Sequence, residues 1–251
     1  MNDTKPQSVL NIPTAIVIAG AIIAGSVIYT MKPANTSNQA AALNAQTEIR
    51  AVNATDHILG NPNAKIKIVE YSDPSCPFCK VFHNTMRKVV ADYGKSGNVA
   101  WVYRSFPIDK PGTRPDGTAL HPNAGHESQA LECAGALGGN DKFWAYTHEL
   151  YDVTPSVTGS TPEGLDQKQL YVIAKDVGLN DNDFRTCLDS GRYKDKVESS
   201  YLEGVNAGIQ GTPSSYIITP NGKIIPIEGA QPYETIKQSI DALLADQAAN
   251  Q

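Results

Sequence analysis

Lys65-Ile66-Lys67-Ile68-Val69-Glu70-Tyr71-Ser72 runs into Asp73-Pro74-Ser75, then into Cys76-Pro77-Phe78-Cys79, and then into a helical rhythm from Lys80 to Tyr93. The first segment is rich in β-branched residues and alternates in polarity at its start, which predicts a strand. Asp-Pro-Ser reads as a turn. Phe82, Met86, Val89 and Tyr93 then recur at helical spacing on one face, and Gly94 is placed to end the helix. The cysteine pair therefore lies where a strand hands over to a helix N-terminus.

That position has a chemical consequence. The first turn of a helix offers unpaired N–H groups and the positive end of the helix dipole, so a thiolate there is stabilised. Pro77 suits the first turn, where a missing N–H costs nothing. Cys76 is the expected exposed nucleophile, and Cys79, one turn deeper, the resolving sulfur. Such a pair passes a disulfide to another protein through a mixed disulfide. Zinc would need four ligands, and with no second CxxC even His83 brings the candidates only to three. A c-type haem would need His at position 80, which is Lys. A purely structural disulfide is the remaining competitor. Glu70 lies six residues before Cys76 inside an apolar strand. It is either an edge-facing carboxylate or, if buried beneath the cysteines, a raised-pKa acid that exchanges a proton with Cys79.

The N-terminus differs from the rest. No charged residue occurs from Pro6 to Met31, and Ile12 to Tyr29 is apolar. At about 1.5 Å per residue that stretch spans roughly 27 Å, near the roughly 30 Å hydrocarbon core of a bilayer. The segment after it, Tyr29-Thr30-Met31-Lys32-Pro33, is a poor cleavage site, which favours an uncleaved anchor over a cleaved signal peptide. Lys5 and Lys32 nearly balance, so charge does not orient it. Residues 33–56 read as a polar linker, with a short helix possible over 40–50. Across the 251 residues the net charge is −5, which gives no basic excess for nucleic acid; the 41% hydrophobic content excludes disorder as the whole answer.

The late sequence adds a second motif. Gly211-Thr212-Pro213 is a turn before the β run from Tyr216 to Thr219; Asn221-Gly222 is a hairpin signal; Lys223 to Glu228 pairs back; and Pro232 to Asp246 reads as a helix. Between Pro107 and Gly208 the pattern is helical. Asp166-Gln167-Lys168-Gln169 resembles a capping box, and Gly178 ends that helix. Ala130, Cys133 and Leu137 share one face before Gly138; Phe184, Cys187 and Leu188 share another before Gly191. Cys133 and Cys187 read either as two buried apolar thiols or as a structural disulfide joining two helices of that region.

Taken together, Val69-Glu70-Tyr71 before Cys76-Pro77-Phe78-Cys79, then Arg104-Ser105-Phe106-Pro107, then Gly211-Thr212-Pro213-Ser214-Ser215-Tyr216 resemble the DsbA-like thiol–disulfide oxidoreductases of the thioredoxin-fold superfamily. The resemblance covers about residues 57 to 248. It implies an α/β thioredoxin fold over 57–106 and 208–251, with a helical domain inserted over 107–207, following the membrane anchor over 1–32 and the linker over 33–56 read from composition. It implies Cys76, Cys79 and Glu70 as the catalytic set, and a cis-proline loop, Thr212-Pro213, that docks the substrate chain beside Phe78. A related subgroup carries a structural disulfide at places like those of Cys133 and Cys187. The resemblance implies unfolded or partly oxidised proteins as substrates, no bound cofactor or metal, and a membrane quinone-linked reoxidase as partner. It places the catalytic domain in the periplasm, held at the inner membrane, or secreted after signal cleavage. The sequence departs from the best-known members at Phe78, which stands where they carry His, and Thr212 is the residue found in the disulfide isomerases. An isomerase or reductase using the same site, and a non-catalytic scaffold with merely structural cysteines, are therefore the alternatives to an oxidase.

Overall fold

The computed structural model describes residues 49–155 and 165–249. The proposed anchor over 1–32 and the linker up to residue 48 lie outside the described residues. No helix among the described residues is long and apolar enough to cross a membrane.

Among the described residues, five strands and six helices follow the order β1 (His57–Gly60), β2 (Ile66–Ser72), α1 (Pro77–Tyr93), β3 (Val99–Ser105), α2 (Ala124–Val153), α3 (Gln169–Asp176), α4 (Asp181–Asp189), α5 (Lys194–Asn206), β4 (Ser214–Ile218), β5 (Ile224–Glu228) and α6 (Tyr233–Ala249). The sheet order is β1-β3-β2-β4-β5. Strands β2 and β3 are parallel and are joined through α1; β1 and β4 flank them antiparallel, and β5 closes the far edge. A central β2 must bury both faces, and its alternation sorts them. Ile66 and Ile68 pack with Phe82, Met86 and Val89 of α1 and with Trp101 and Trp144. Val69 and Tyr71 pack on the other face with Val102, Phe106 and Ile209. The same period puts Glu70 and Ser72 on the α1 side, under the start of that helix.

Several local expectations change in detail. Gly94 ends α1, but in a right-handed conformation at φ −63° rather than a left-handed cap. The helix carrying Cys133 does not stop at Gly138: α2 continues to Val153 across a break at Gly139, which takes φ 75°, and Leu137 stays 38% exposed. No capping box forms at α3. Asp166 instead accepts from the Lys168 N–H (3.0 Å), and the first helical residue is Gln169. Gly178 leaves α3 with φ 76°, as a glycine after a helix does.

The folded unit also begins before residue 57. Residues 49–56, assigned above to the linker, lie against the sheet because Arg104 holds them. Its Nε contacts Asp56 at 3.0 Å, its Nη1 donates to Tyr71 Oη and Glu203 at 3.0 Å each, and its Nη2 donates to the Arg50 carbonyl at 3.0 Å. Arg50 in turn bonds Asp56 and Glu203 at 2.7 Å each. The network ties the N-terminal segment and α5 to β3. The Arg104 and Asp56 side chains are both buried, so Arg104→Ala takes away the buried partner of Asp56, leaves Arg50 as the cation paired with that carboxylate, and is expected to cost about 3 kcal/mol. Urea unfolding checks this; a loss within about 0.5 kcal/mol, typical of surface changes, would show the network to be inert.

Candidate active site

Cys76 is the N-cap of α1, with φ −78° and ψ 121°, and Pro77 opens the helix. Its backbone N–H donates to the Asp73 carbonyl at 3.0 Å, which fixes the turn between strand and helix. Cys76 and Cys79 are both free thiols in this structure. Facing Cys76 is the loop before β4, where the Thr212–Pro213 peptide is cis. The Cys76 Sγ donates to the Thr212 carbonyl at 3.5 Å. Beside them lies a cavity of about 580 Å³, bounded by Phe78, Ile108, Leu120, His121 and Thr212 as well as Cys76. Phe78 is 58% exposed at its edge. The structure thus brings Cys76, Phe78 and Thr212 to one groove open to solvent, with Pro213 buried directly behind Thr212 in the chain.

The two sulfurs sit in different surroundings. Hydrogen bonding from the Cys79 thiol, with further help from Thr212 and the Cys79 backbone, outweighs burial and draws the Cys76 pKa down to about 6. Burial pushes the Cys79 thiol well up, and the charges of Cys76, Glu70 and Asp73 push it further. The Asp73 N–H reaches the Cys79 Sγ at 3.4 Å. One sulfur is poised to carry charge and the other to keep its proton.

Glu70 is fully buried on the α1 side of β2. Among the described residues it has no cationic partner. Ser72 Oγ donates to its Oε1 at 2.6 Å and Trp101 Nε1 donates to its Oε2 at 2.8 Å. Ser72 is also linked to Tyr151 Oη at 2.8 Å, and Tyr151 to Tyr103 at 3.2 Å. Burial raises the Glu70 pKa to about 7, against the pull of the Ser72 and Trp101 bonds. It is a proton donor and acceptor matched to neutral pH, within electrostatic reach of Cys79.

Away from the groove, the structure joins Cys133 on α2 to Cys187 on α4 with an S–S distance of 2.04 Å. Both lie within helices of the inserted region, and the bond leaves Cys76 and Cys79 as the free pair.

Sequence reasoning overlooked a further set of polar residues around the site. Asp73 was read only as a turn residue, yet it is fully buried, accepts from Ser75 N–H (2.8 Å) and Ile108 N–H (2.7 Å), and pairs with His121 Nδ1 (2.8 Å). Glu127 on α2 accepts from Ser75 Oγ at 2.6 Å, and burial raises its pKa to about 7. An acidic residue directly before the CxxC turn was the available signal for Asp73; nothing local in the sequence points from Glu127 to Cys76.

The chain belongs to the thioredoxin family, whose model matches residues 52–242. It resembles alpha-DsbA1 of Wolbachia pipientis in fold, at TM-score 0.66 and 20% identity over 82% of this chain and 98% of that one. It is 26% identical over 195 residues to the probable disulfide bond formation protein D of Bacillus anthracis, covering 75% of this chain and 78% of that protein. It also aligns at 27% identity over 172 residues with the Na(+)/H(+) antiporter NhaA 1 of Mycolicibacterium gilvum. That match covers 67% of this chain but only 24% of the antiporter, so the chain spans about a quarter of that relative's length. The architecture is DsbA-like: a thioredoxin fold with a helical insertion between β3 and β4.

Proposed function

We propose that the protein is a thiol:disulfide oxidoreductase that exchanges disulfides with unfolded or partly oxidised envelope and secreted proteins. The observation that carries this reading is the asymmetry of the pair: Cys76 with a pKa near 6 at the groove, Cys79 buried with a raised one. In the oxidising direction a client thiolate attacks Cys76 Sγ, the Cys76–Cys79 bond breaks, and the electron pair leaves on Cys79. Glu70, protonated below about pH 7, supplies the proton that Cys79 needs. The client then gives up its second thiol to displace Cys76, whose thiolate is a good leaving group. Thr212 borders the groove where the client chain would lie, the cis bond to Pro213 sets the course of that loop, and Phe78 offers the client an apolar contact. A disulfide in the inserted helices supports an oxidising compartment. With the apolar stretch at residues 12–29 it supports a chain held at the inner membrane with its catalytic domain in the periplasm. A membrane quinone-linked reoxidase would return Cys76–Cys79 to the disulfide.

The direct test is oxidative refolding of a reduced, unfolded disulfide protein in a glutathione buffer. Catalytic amounts of the oxidised protein are expected to accelerate disulfide formation severalfold; a rate equal to that of the buffer alone would remove the assignment.

Glu70 yields a separate prediction. When Cys79 resolves a mixed disulfide between Cys76 and a monothiol peptide, Glu70 must be ionised to take the proton from Cys79. Resolution should therefore quicken as pH rises through about 7, and Glu70→Gln should slow it roughly 100-fold and flatten that inflection. Stability moves the other way. An acid whose folded pKa is raised favours the native state below its unfolded pKa, and that contribution is lost as pH rises through about 7. Glu70→Gln is thus expected to stabilise the protein at pH 8 by about 2 kcal/mol while impairing it. Stopped-flow and urea titrations on the same variant check both signs.

A further inference from the structure

Two protons must be handled in each exchange cycle. The inner one belongs to Cys79 and has Glu70. The outer one belongs to the client's second thiol, which approaches from the groove and cannot reach Glu70, since that carboxyl has no exposed surface. Among the described side chains bordering the groove, Cys76 and His121 are the ionisable ones.

His121 is built into that wall. Its backbone N–H donates to the Ile108 carbonyl at 3.0 Å, and its side chain retains 14% exposure. Its Nδ1 faces Asp73 Oδ2 at 2.8 Å. Asp73 is itself clamped by the Ile108 and Ser75 N–H groups, so it cannot turn away. A carboxylate on Nδ1 keeps the proton there and leaves Nε2 as the basic nitrogen of the neutral ring. This is the orienting logic by which a buried carboxylate sets the tautomer of a general base. The charged groups facing the ring are Asp73 from the turn after β2, Cys76 from the start of α1 and Glu127 from α2. Together they raise its pKa against its partial burial. Arg114, on the ring's own loop, is engaged with the Leu120 carbonyl at 2.9 Å.

We propose that His121, oriented by Asp73, is the outer proton acceptor of disulfide exchange, its Nε2 taking the proton from the client's second thiol as that thiol resolves the mixed disulfide with Cys76. The inference rests on the thiol-exchange reading above. The client S–H bond breaks, with its proton passing to Nε2. The client thiolate then attacks the client sulfur bound to Cys76, a client S–S bond forms, and the S–Sγ bond to Cys76 breaks, leaving the electron pair on the Cys76 thiolate. Two client thiols are oxidised, the Cys76–Cys79 disulfide is reduced, and the imidazolium returns its proton to solvent through the open groove. In the reverse direction the imidazolium protonates the departing client thiolate.

The test isolates the outer step. In Cys79→Ser, a mixed disulfide between Cys76 and a peptide bearing two cysteines can be resolved only by the peptide's own second thiol. Release of the cyclised peptide is timed by rapid quench across pH, with His121 intact and with His121→Gln or His121→Ala added. Both substitutions are expected to slow release roughly tenfold to 100-fold near pH 7. The deficit should close as the peptide thiol ionises unaided near about pH 8.5, and free imidazole should restore the rate in His121→Ala. Release that does not depend on His121, or that slows equally at every pH without rescue, would overturn the inference while leaving the exchange reading standing. Failure of the mixed disulfide to form with His121 intact would overturn both.

Discussion

Cys76→Ser is expected to abolish disulfide exchange and leave the fold intact. The side chain lies at the N-cap of α1, where serine is a favourable replacement, so the helix start survives the change. What is lost is the charge. With a pKa of about 6, Cys76 is mostly thiolate at pH 7, by roughly ten to one; with the ordinary value of 9.0 it would be about 1% ionised. A serine hydroxyl at the same place supplies neither a thiolate nor a sulfur that a client can attack. Catalysed oxidation of a dithiol peptide should fall to the buffer rate, with circular dichroism unchanged. Cys79→Ser should behave differently, because Cys76 still forms mixed disulfides that now persist. Residual catalysis in Cys76→Ser above the buffer rate would place the reactive sulfur elsewhere.

Loss of the second disulfide has the largest expected effect on stability. Cys133 and Cys187 close a loop of sequence separation 54 between α2 and α4, and both sulfurs are buried. In the chain-entropy account a link over that distance stabilises by about 4 kcal/mol, chiefly by restricting the unfolded chain. The double substitution Cys133→Ala and Cys187→Ala should shift the urea midpoint accordingly, while exchange at Cys76 continues under native conditions. A midpoint unchanged within error, or activity lost while the protein is still folded, would contradict the separation of a structural pair from a reactive one.

The strand–turn–CxxC–helix unit was legible because each of its signals is local. The alternation of Ile66, Ile68 and Glu70 set the face of β2, and the rhythm of Phe82, Met86 and Val89 set the face of α1. Those two periods put Glu70 on the face of Ile66 and Ile68 but left open whether it is an edge-facing or a buried carboxylate, and the structure buries it. The Gly-Thr-Pro turn before β4 was equally local. What escaped the sequence depended on distant pairings. Residues 49–56 read as linker by composition, and only the burial of Arg104 against Asp56 and Glu203 attaches them to the sheet. The break at Gly139 instead of Gly138 is a choice between adjacent glycines that nothing local decides. Asp73 looked like a turn residue because its partners, Ile108 and His121, are supplied by the loop leading into the insertion. Trp101 gave no hint of holding Glu70, since an indole in an apolar strand reads as core. The reactive cysteines, Glu70 and Thr212 were thus visible in the sequence, and Asp73, His121 and Glu127 around them were not.

The account stands on the Cys76–Cys79 pair being a true redox couple, and its equilibrium with glutathione measures that directly. The protein is held in buffers of defined reduced-to-oxidised glutathione ratio, quenched with acid, and the free thiols are assigned to each cysteine by mass spectrometry. The expected result is a single two-electron transition at Cys76 and Cys79, with a potential above the roughly −270 mV of thioredoxin, because a low Cys76 pKa favours the reduced form. Cys133 and Cys187 should remain oxidised throughout. A Cys76–Cys79 pair that fails to exchange, or that exchanges no more readily than Cys133–Cys187, would contradict the account.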